Sequence, residues 1–189
     1  MKTIIPFQGF YCSLHDSILD NALELLAQDD SGDIDQDKHD KMFDAVNWRK
    51  VWVEYAKEYC YQLSQLIDID LKFEELSSPK FYNYSTDRIF ADISESDVLK
   101  MFDVVDKTKL NQMIKDNFTS CDGFISNYPN SLDDWDSDVT TWDHNQVGTL
   151  LSCYIDIEHD LKDIDYQISD RMDDAPYRFI SNNYIEINE

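Results

Sequence analysis

The stretch Val147-Gly148-Thr149-Leu150-Leu151-Ser152-Cys153-Tyr154-Ile155-Asp156-Ile157-Glu158-His159-Asp160-Leu161-Lys162-Asp163-Ile164-Asp165-Tyr166-Gln167-Ile168 holds the most regular pattern in the chain. Val147, Leu150, Tyr154, Ile157, Leu161, Ile164 and Ile168 recur at steps of three and four, the period of a helix with one apolar face. Thr140 or Thr141 with Asp143 provides a start signal, and Pro176 a limit. The spacing therefore predicts one long final helix. A second cadence runs beside the first, through Asp156, Asp160, Asp163, Gln167, Asp170 and Asp174. On a straight helix, four-residue steps set successive carboxylates about 6 Å apart, so this face reads as a rigid row of negative charge.

Working outward, residues 17–28 predict a first helix through Ile18, Ala22, Leu25 and Leu26. Residues 44–68 predict the central core helix, with Val53, Ala56, Tyr59, Cys60, Leu63 and Ile67 at helical spacing and Trp48, Trp52 and Tyr55 adding bulk. Short strands are expected at 71–76 and 88–93, as antiparallel neighbours. Ser94 followed by Asp97 caps a helix through Phe102, a further short helix covers 107–117, and 178–187 reads as a closing strand. The result is an α+β fold with three main helices and a small, mostly antiparallel sheet. Four prolines and four glycines leave no extended linker, so the expectation is a single compact domain over 1–189. Acidic loops are expected near 29–40 and 129–143. The second interleaves Asp133, Asp134, Asp136 and Asp138 with Leu132, Trp135, Val139 and Trp142 as apolar anchors.

Thirty-nine Asp and Glu against 16 Lys and Arg give a formal net charge of -23 on 189 residues. Such a surface is repelled by phosphate backbones and anionic lipid, which argues against direct nucleic-acid binding and against membrane association. Disorder is excluded by 13% aromatic and 42% hydrophobic residues, enough to build a core. Cys12, Cys60, Cys121 and Cys153 form no C-x-x-C pair and read as free thiols of a reducing compartment, and no apolar run has membrane-spanning length. A cytoplasmic protein is expected.

Chemistry is poorly supported. Nucleophile-elbow, phosphate-loop and dinucleotide glycine patterns are lacking, and His15, His39, His144 and His159 do not form H-E-x-x-H. The 29–40 loop invites comparison with a calcium loop, but Gly32 at its sixth position puts Ala27 at the first and Lys38 at the twelfth, where oxygen ligands belong. No cofactor, no metal and no enzymatic activity are expected. The alternative is a metal-dependent enzyme or calcium-binding protein, using carboxylates such as Asp133 to Asp138. Phe81, Tyr82 and Tyr84 form an aromatic stretch that reads chiefly as closure for the small sheet.

In size, charge density and its long acidic helix face, the chain resembles small acidic proteins of phages and mobile elements, some of which imitate DNA and occupy the DNA-binding clefts of restriction or other host-defence complexes. The resemblance implies a basic nucleic-acid-binding or host-defence protein as partner, and possible homodimers. It carries over no site residues. From the helix argument, the partner-binding face is expected to comprise Asp156, Asp160, Asp163, Asp170 and Asp174, helped by Asp133, Asp134, Asp136 and Asp138. An immunity-type protein that plugs one basic effector without imitating DNA is a further alternative.

Overall fold

Asp35, Asn47, Ser94 and Asp143 each accept, on a side-chain oxygen, the backbone N–H of the residue three positions on. Each thereby satisfies an amide that a helix start leaves unpaired. These caps cut the chain into more pieces than its apolar periodicity suggests. The structure is a computed structural model describing residues 2–5, 18–74, 89–119, 131–159 and 161–184. Among them are helices α1 (Ile18–Leu26), α2 (Gln36–Ala45), α3 (Trp48–Ile67), α4 (Glu95–Val104), α5 (Lys107–Thr119), α6 (His144–Glu158), α7 (Leu161–Arg171) and α8 (Ala175–Asn182). Strands β1 (Lys2–Ile5), β2 (Leu71–Phe73) and β3 (Ile89–Ile93) form one antiparallel sheet in the order β1-β3-β2. The α+β expectation of three main helices is thus corrected: eight helices are present among the described residues, and the fold is mainly helical.

Four local causes account for the difference. The acidic stretch 29–40 is loop only in its first half, because Asp35 caps α2. Val46 is extended, at φ -78° and ψ 134°, and Asn47 caps α3, so the expected helix over 44–68 is the end of one helix and the whole of another. The long final helix breaks at His159, whose φ of -133° and ψ of 140° end α6. Pro176 sits in the first turn of α8, where its missing N–H is no loss, so it opens a helix where a strand was expected. Residues 185–187 of that expected strand lie outside the described residues.

In the sheet, Thr3 stands opposite Ala91 and Ala91 opposite Phe73, while Lys2 and Lys72 flank Asp92. Strand alternation therefore turns Thr3, Ala91, Ile93 and Leu71 into the core and leaves Lys72 and Asp92 exposed. α6 packs on β1 and α3 on β2, with α7 and α8 also against α3 and with α4 and α5 against α6. Leu63 from α3, Met101 from α4, Leu110 and Ile114 from α5, and Leu150, Leu151 and Ile155 from α6 meet fully buried in one cluster. Cys60 and Cys153 are buried free thiols, and burial pushes the Cys60 thiol up to about 12. Cys12 and Cys121 lie outside the described residues.

The α4 cap gives a direct test. Ser94 Oγ accepts the Asp97 amide at 3.1 Å and donates to the Asp97 carboxylate at 2.6 Å. Ser94→Ala is expected to destabilise the fold by about 1 kcal/mol, read as a lower urea midpoint at unchanged slope.

Candidate partner-binding surface

The 131–143 segment is ordered by its own polar groups before it meets the core. Ser131 caps a 3-10 turn over Leu132–Asp134, and Asp138 caps another over Val139–Thr141. Trp135 and Trp142, which end the two turns, are buried edge to face, with ring centres 4.9 Å apart at 85°, and Phe102 of α4 meets Trp142 at 5.3 Å. Trp142 Nε1 donates to the Asp136 carbonyl at 2.8 Å, and the Leu132 amide donates to Asn111 Oδ1 of α5 at 2.9 Å. The segment is therefore pinned to α4 and α5.

That pinning assigns different tasks to the four acids. Asp136 Oδ1 accepts the Asp138 amide at 2.9 Å, and Asp138 Oδ1 accepts the Thr140 hydroxyl at 2.6 Å and the Thr140 amide at 3.0 Å. The Thr140 hydroxyl, followed by its amide, holds the Asp138 carboxyl below its ordinary value. Asp133 and Asp134 are exposed. They are the acids of this segment free to face a partner.

The final helices divide the other acids. Asp156 lies on α6 and is half-buried, and the Lys109 ammonium from α5 meets its carboxylate at 2.6 Å and its carbonyl at 3.1 Å. That aspartate bonds the Lys109 ammonium and so raises its pKa. Asp163 and Asp170 are exposed on α7, two turns apart and so on one face, about 10 Å from each other along the axis. Asp174 is exposed and stands 3.7 Å from Arg178. Asp160 lies outside the described residues. The single straight acidic row is thus corrected: α6 and α7 are separate helices, and their acids do not continue one line.

A stronger signal lay in what the sequence omits. Residues 116–161 contain no Lys or Arg. Lysines that precede this span are turned onto local groups. Lys100 Nζ meets the Asp68 carboxylate at 2.9 Å and its carbonyl at 2.8 Å; Lys107 bonds the Phe102 and Val105 carbonyls and lies over the Phe102 ring; Lys109 holds Asp156. Hydrogen bonding to Asp68 likewise raises the Lys100 pKa. These cations stabilise helix ends and pairs, while α7 carries its acids together with its own Lys162 and Arg171.

Asp29, Asp35 and Asp40 of the 29–40 stretch are also engaged locally. Asp29 Oδ1 accepts the Ser31 amide at 2.8 Å, the Ser31 hydroxyl at 2.6 Å and the Asp33 amide at 3.1 Å, closing a turn in which Gly32 takes φ 87°. The Ser31 hydroxyl, then the Ser31 amide, holds the Asp29 carboxyl below its ordinary value. Among the described residues no group of three or more His, Cys, Asp or Glu is placed to hold a metal ion. No helix among them is long and apolar enough to cross a membrane. The Phe81, Tyr82 and Tyr84 stretch lies outside the described residues.

No family model matches this chain. No curated protein and no solved structure gives a significant match either.

Excess charge of one sign strains the isolated fold, and salt relieves it. Raising NaCl from about 0.01 to about 1 M shortens the screening length from about 30 to about 3 Å, so the melting temperature is expected to rise by several degrees. A fall across that range in a calorimetric scan would show that local ion pairs outweigh the repulsion.

Proposed function

We propose that this chain is a binding protein that occupies the basic, nucleic-acid-holding cleft of a partner and blocks it, in the manner of a host-defence inhibitor that imitates the charge of DNA. The observation that supports this most is the exposure of Asp133 and Asp134 on the 131–143 segment and of Asp163 and Asp170 on α7, while Lys100 and Lys109 are held on Asp68 and Asp156. Asp156, Asp174, Asp136 and Asp138 add to the field while engaged locally, and Asp160 belongs to the group by sequence. Juxtaposed Lys and Arg on the partner relieve the self-repulsion of this array, so association is fast and salt-sensitive. The setting is the cytoplasm, which fits buried thiols without a disulfide at Cys60 and Cys153.

A second reading is an immunity-type protein that docks on a basic effector outside its nucleic-acid cleft. The break between α6 and α7 favours it, since a regular row of carboxylates is what imitation of a phosphate backbone requires. Used as bait in an intracellular extract and eluted with salt, the protein is expected to retain one basic DNA-binding protein that competing duplex releases. Retention that saturating duplex leaves untouched selects the second reading, and recovery of nothing specific overturns both.

A further inference from the structure

After α8 the chain returns to the corner between α2 and α3, and the buried Asn183 makes the closure. Its backbone N–H donates to the Ile180 carbonyl, and its side-chain amide donates to the Phe179 carbonyl at 2.9 Å, finishing the helix. The same amide reaches a carboxylate oxygen of the half-buried Glu54 of α3 at 3.1 Å. Its carbonyl accepts the Asn47 amide at 3.0 Å, and Tyr184 forms an antiparallel bridge with Val46. The receiving corner is fixed in its own right: Trp48 Nε1 donates to the Phe43 carbonyl at 2.8 Å, and the two rings lie 5.2 Å apart. At its other end α8 lacks a side-chain cap, since Asp174 makes no capping bond, and 172–174 is a turn.

α8 has eight residues, and an isolated helix shorter than about 12 residues is marginal in water, so α8 persists through its packing. It packs against both α1 and α3, burying Phe179 and Ile180, and α1 turns Leu19, Ala22 and Leu23 inward. Among the described residues α1 packs mainly on α8 and α2, so α8 is the element that carries it onto α3. We infer that Asn183 is a clasp, and that α1 and α8 open from α3 as one unit when it releases, while the sheet and α4 to α6 stay closed. Partial openings of this kind follow contiguous packed elements and need less free energy than global unfolding. The bonds of Asn183 run to α8, to Asn47 and to α3, whereas α4 and α5 are held on α6 with Met101, Leu110 and Leu150 fully buried. α3 itself stays held by β2 and α7. Opening brings Leu19, Leu23, Phe179 and Ile180 into water, an apolar surface that the closed molecule hides.

Native-state hydrogen exchange of the full chain, followed amide by amide in urea below the unfolding midpoint, tests this. The amides of α1 and α8 are expected to share one urea dependence, shallower than that of α4 and α6 because less surface is exposed. Ser94→Ala, which removes the α4 cap, is expected to speed exchange in α4 and α6 while leaving α1 and α8 at their wild-type rates. Asn183→Ala removes the donor, and Asn183→Asp faces Glu54 with a second carboxylate. Each is expected to speed exchange in α1 and α8 by about 10- to 100-fold. A Ser94→Ala effect that reaches α1 and α8 equally, or a common urea slope for all four helices, overturns the unit. Exchange of α8 well ahead of α1 separates the two helices and overturns it as well. Rates in α1 and α8 that neither Asn183 variant moves overturn the clasp. Where those variants fail to fold, the wild-type slopes and Ser94→Ala still decide.

Discussion

Trp142→Ala is expected to cost about 3–5 kcal/mol, among the largest losses available to a single substitution here. The side chain is buried, packs edge to face with both Trp135 and Phe102, and donates its ring N–H to the Asp136 carbonyl. Removing it opens a cavity between the 131–143 segment and α4, and leaves the Asp136 carbonyl without that donor. Trp142→Phe separates the two effects. It keeps a ring against Trp135 and loses only the hydrogen bond and some volume, so about 1–3 kcal/mol is expected. Urea denaturation reads both. A loss below about 1 kcal/mol for Trp142→Ala would show that the turns capped by Ser131 and Asp138 hold the segment without the aromatic pair. The same variant reaches function, because Asp133 and Asp134 are displayed by the segment that the ring pins down.

The quadruple variant D133N/D134N/D163N/D170N is expected to bind the basic target about 30- to 1,000-fold more weakly at low salt. Each exposed charge contributes roughly 0.5–1 kcal/mol to such a contact, and asparagine keeps the shape while removing the charge. Most of the loss falls on the association rate, since steering is the long-range part of the interaction. The fold is retained, and its melting temperature rises slightly as self-repulsion drops. A contrasting pair, D136N/D138N, removes acids that accept the Asp138 and Thr140 amides, and is expected to lower stability with a smaller effect on binding. Unchanged affinity of the quadruple variant, measured by surface plasmon resonance across a salt series, sinks the assignment of this face.

Apolar periodicity showed which residues are buried but not where the backbone hydrogen bonding stops. Val147, Leu150, Ile164 and Ile168 of the expected seam are buried, but beside the break at His159 Ile157 is 44% exposed and Ile155, outside that seam, is buried instead. A chain that breaks while most of its apolar residues still face inward looks, in sequence, like a straight helix. The cap at Ser94 was legible because the pattern around it was simple, whereas the start expected at Thr140 or Thr141 with Asp143 lies instead at Asp143, where Gln146 completes a reciprocal box and the threonines belong to a 3-10 turn. Asp35 and Asn47 were obscured by the acidic and helical surroundings in which they sit. Pro176 carried two readings, stop and start, and only the packing of α8 against α1 and α3 decides between them. β1 has four residues, and its partner β3 is distant in sequence, so no local pattern announces the pairing. For the surface, the sequence identifies the acids but not their neutralisation. That Asp156 is held by Lys109 follows from α5 lying against α6, which spacing along the chain does not encode.

The span from 116 to 161 without Lys or Arg also decides how a complex at this surface can be detected. Amine-reactive cross-linkers find no side chain there, trypsin finds no bond to cut within the span before Lys162, and enzymes that acylate or ubiquitylate lysine find no acceptor. Lysine mapping would therefore leave an interface on the 131–143 loop blank, as if nothing had docked. Carboxylate-activating coupling reverses the outcome, joining Asp133 or Asp134 directly to lysines of whatever protein lies against them.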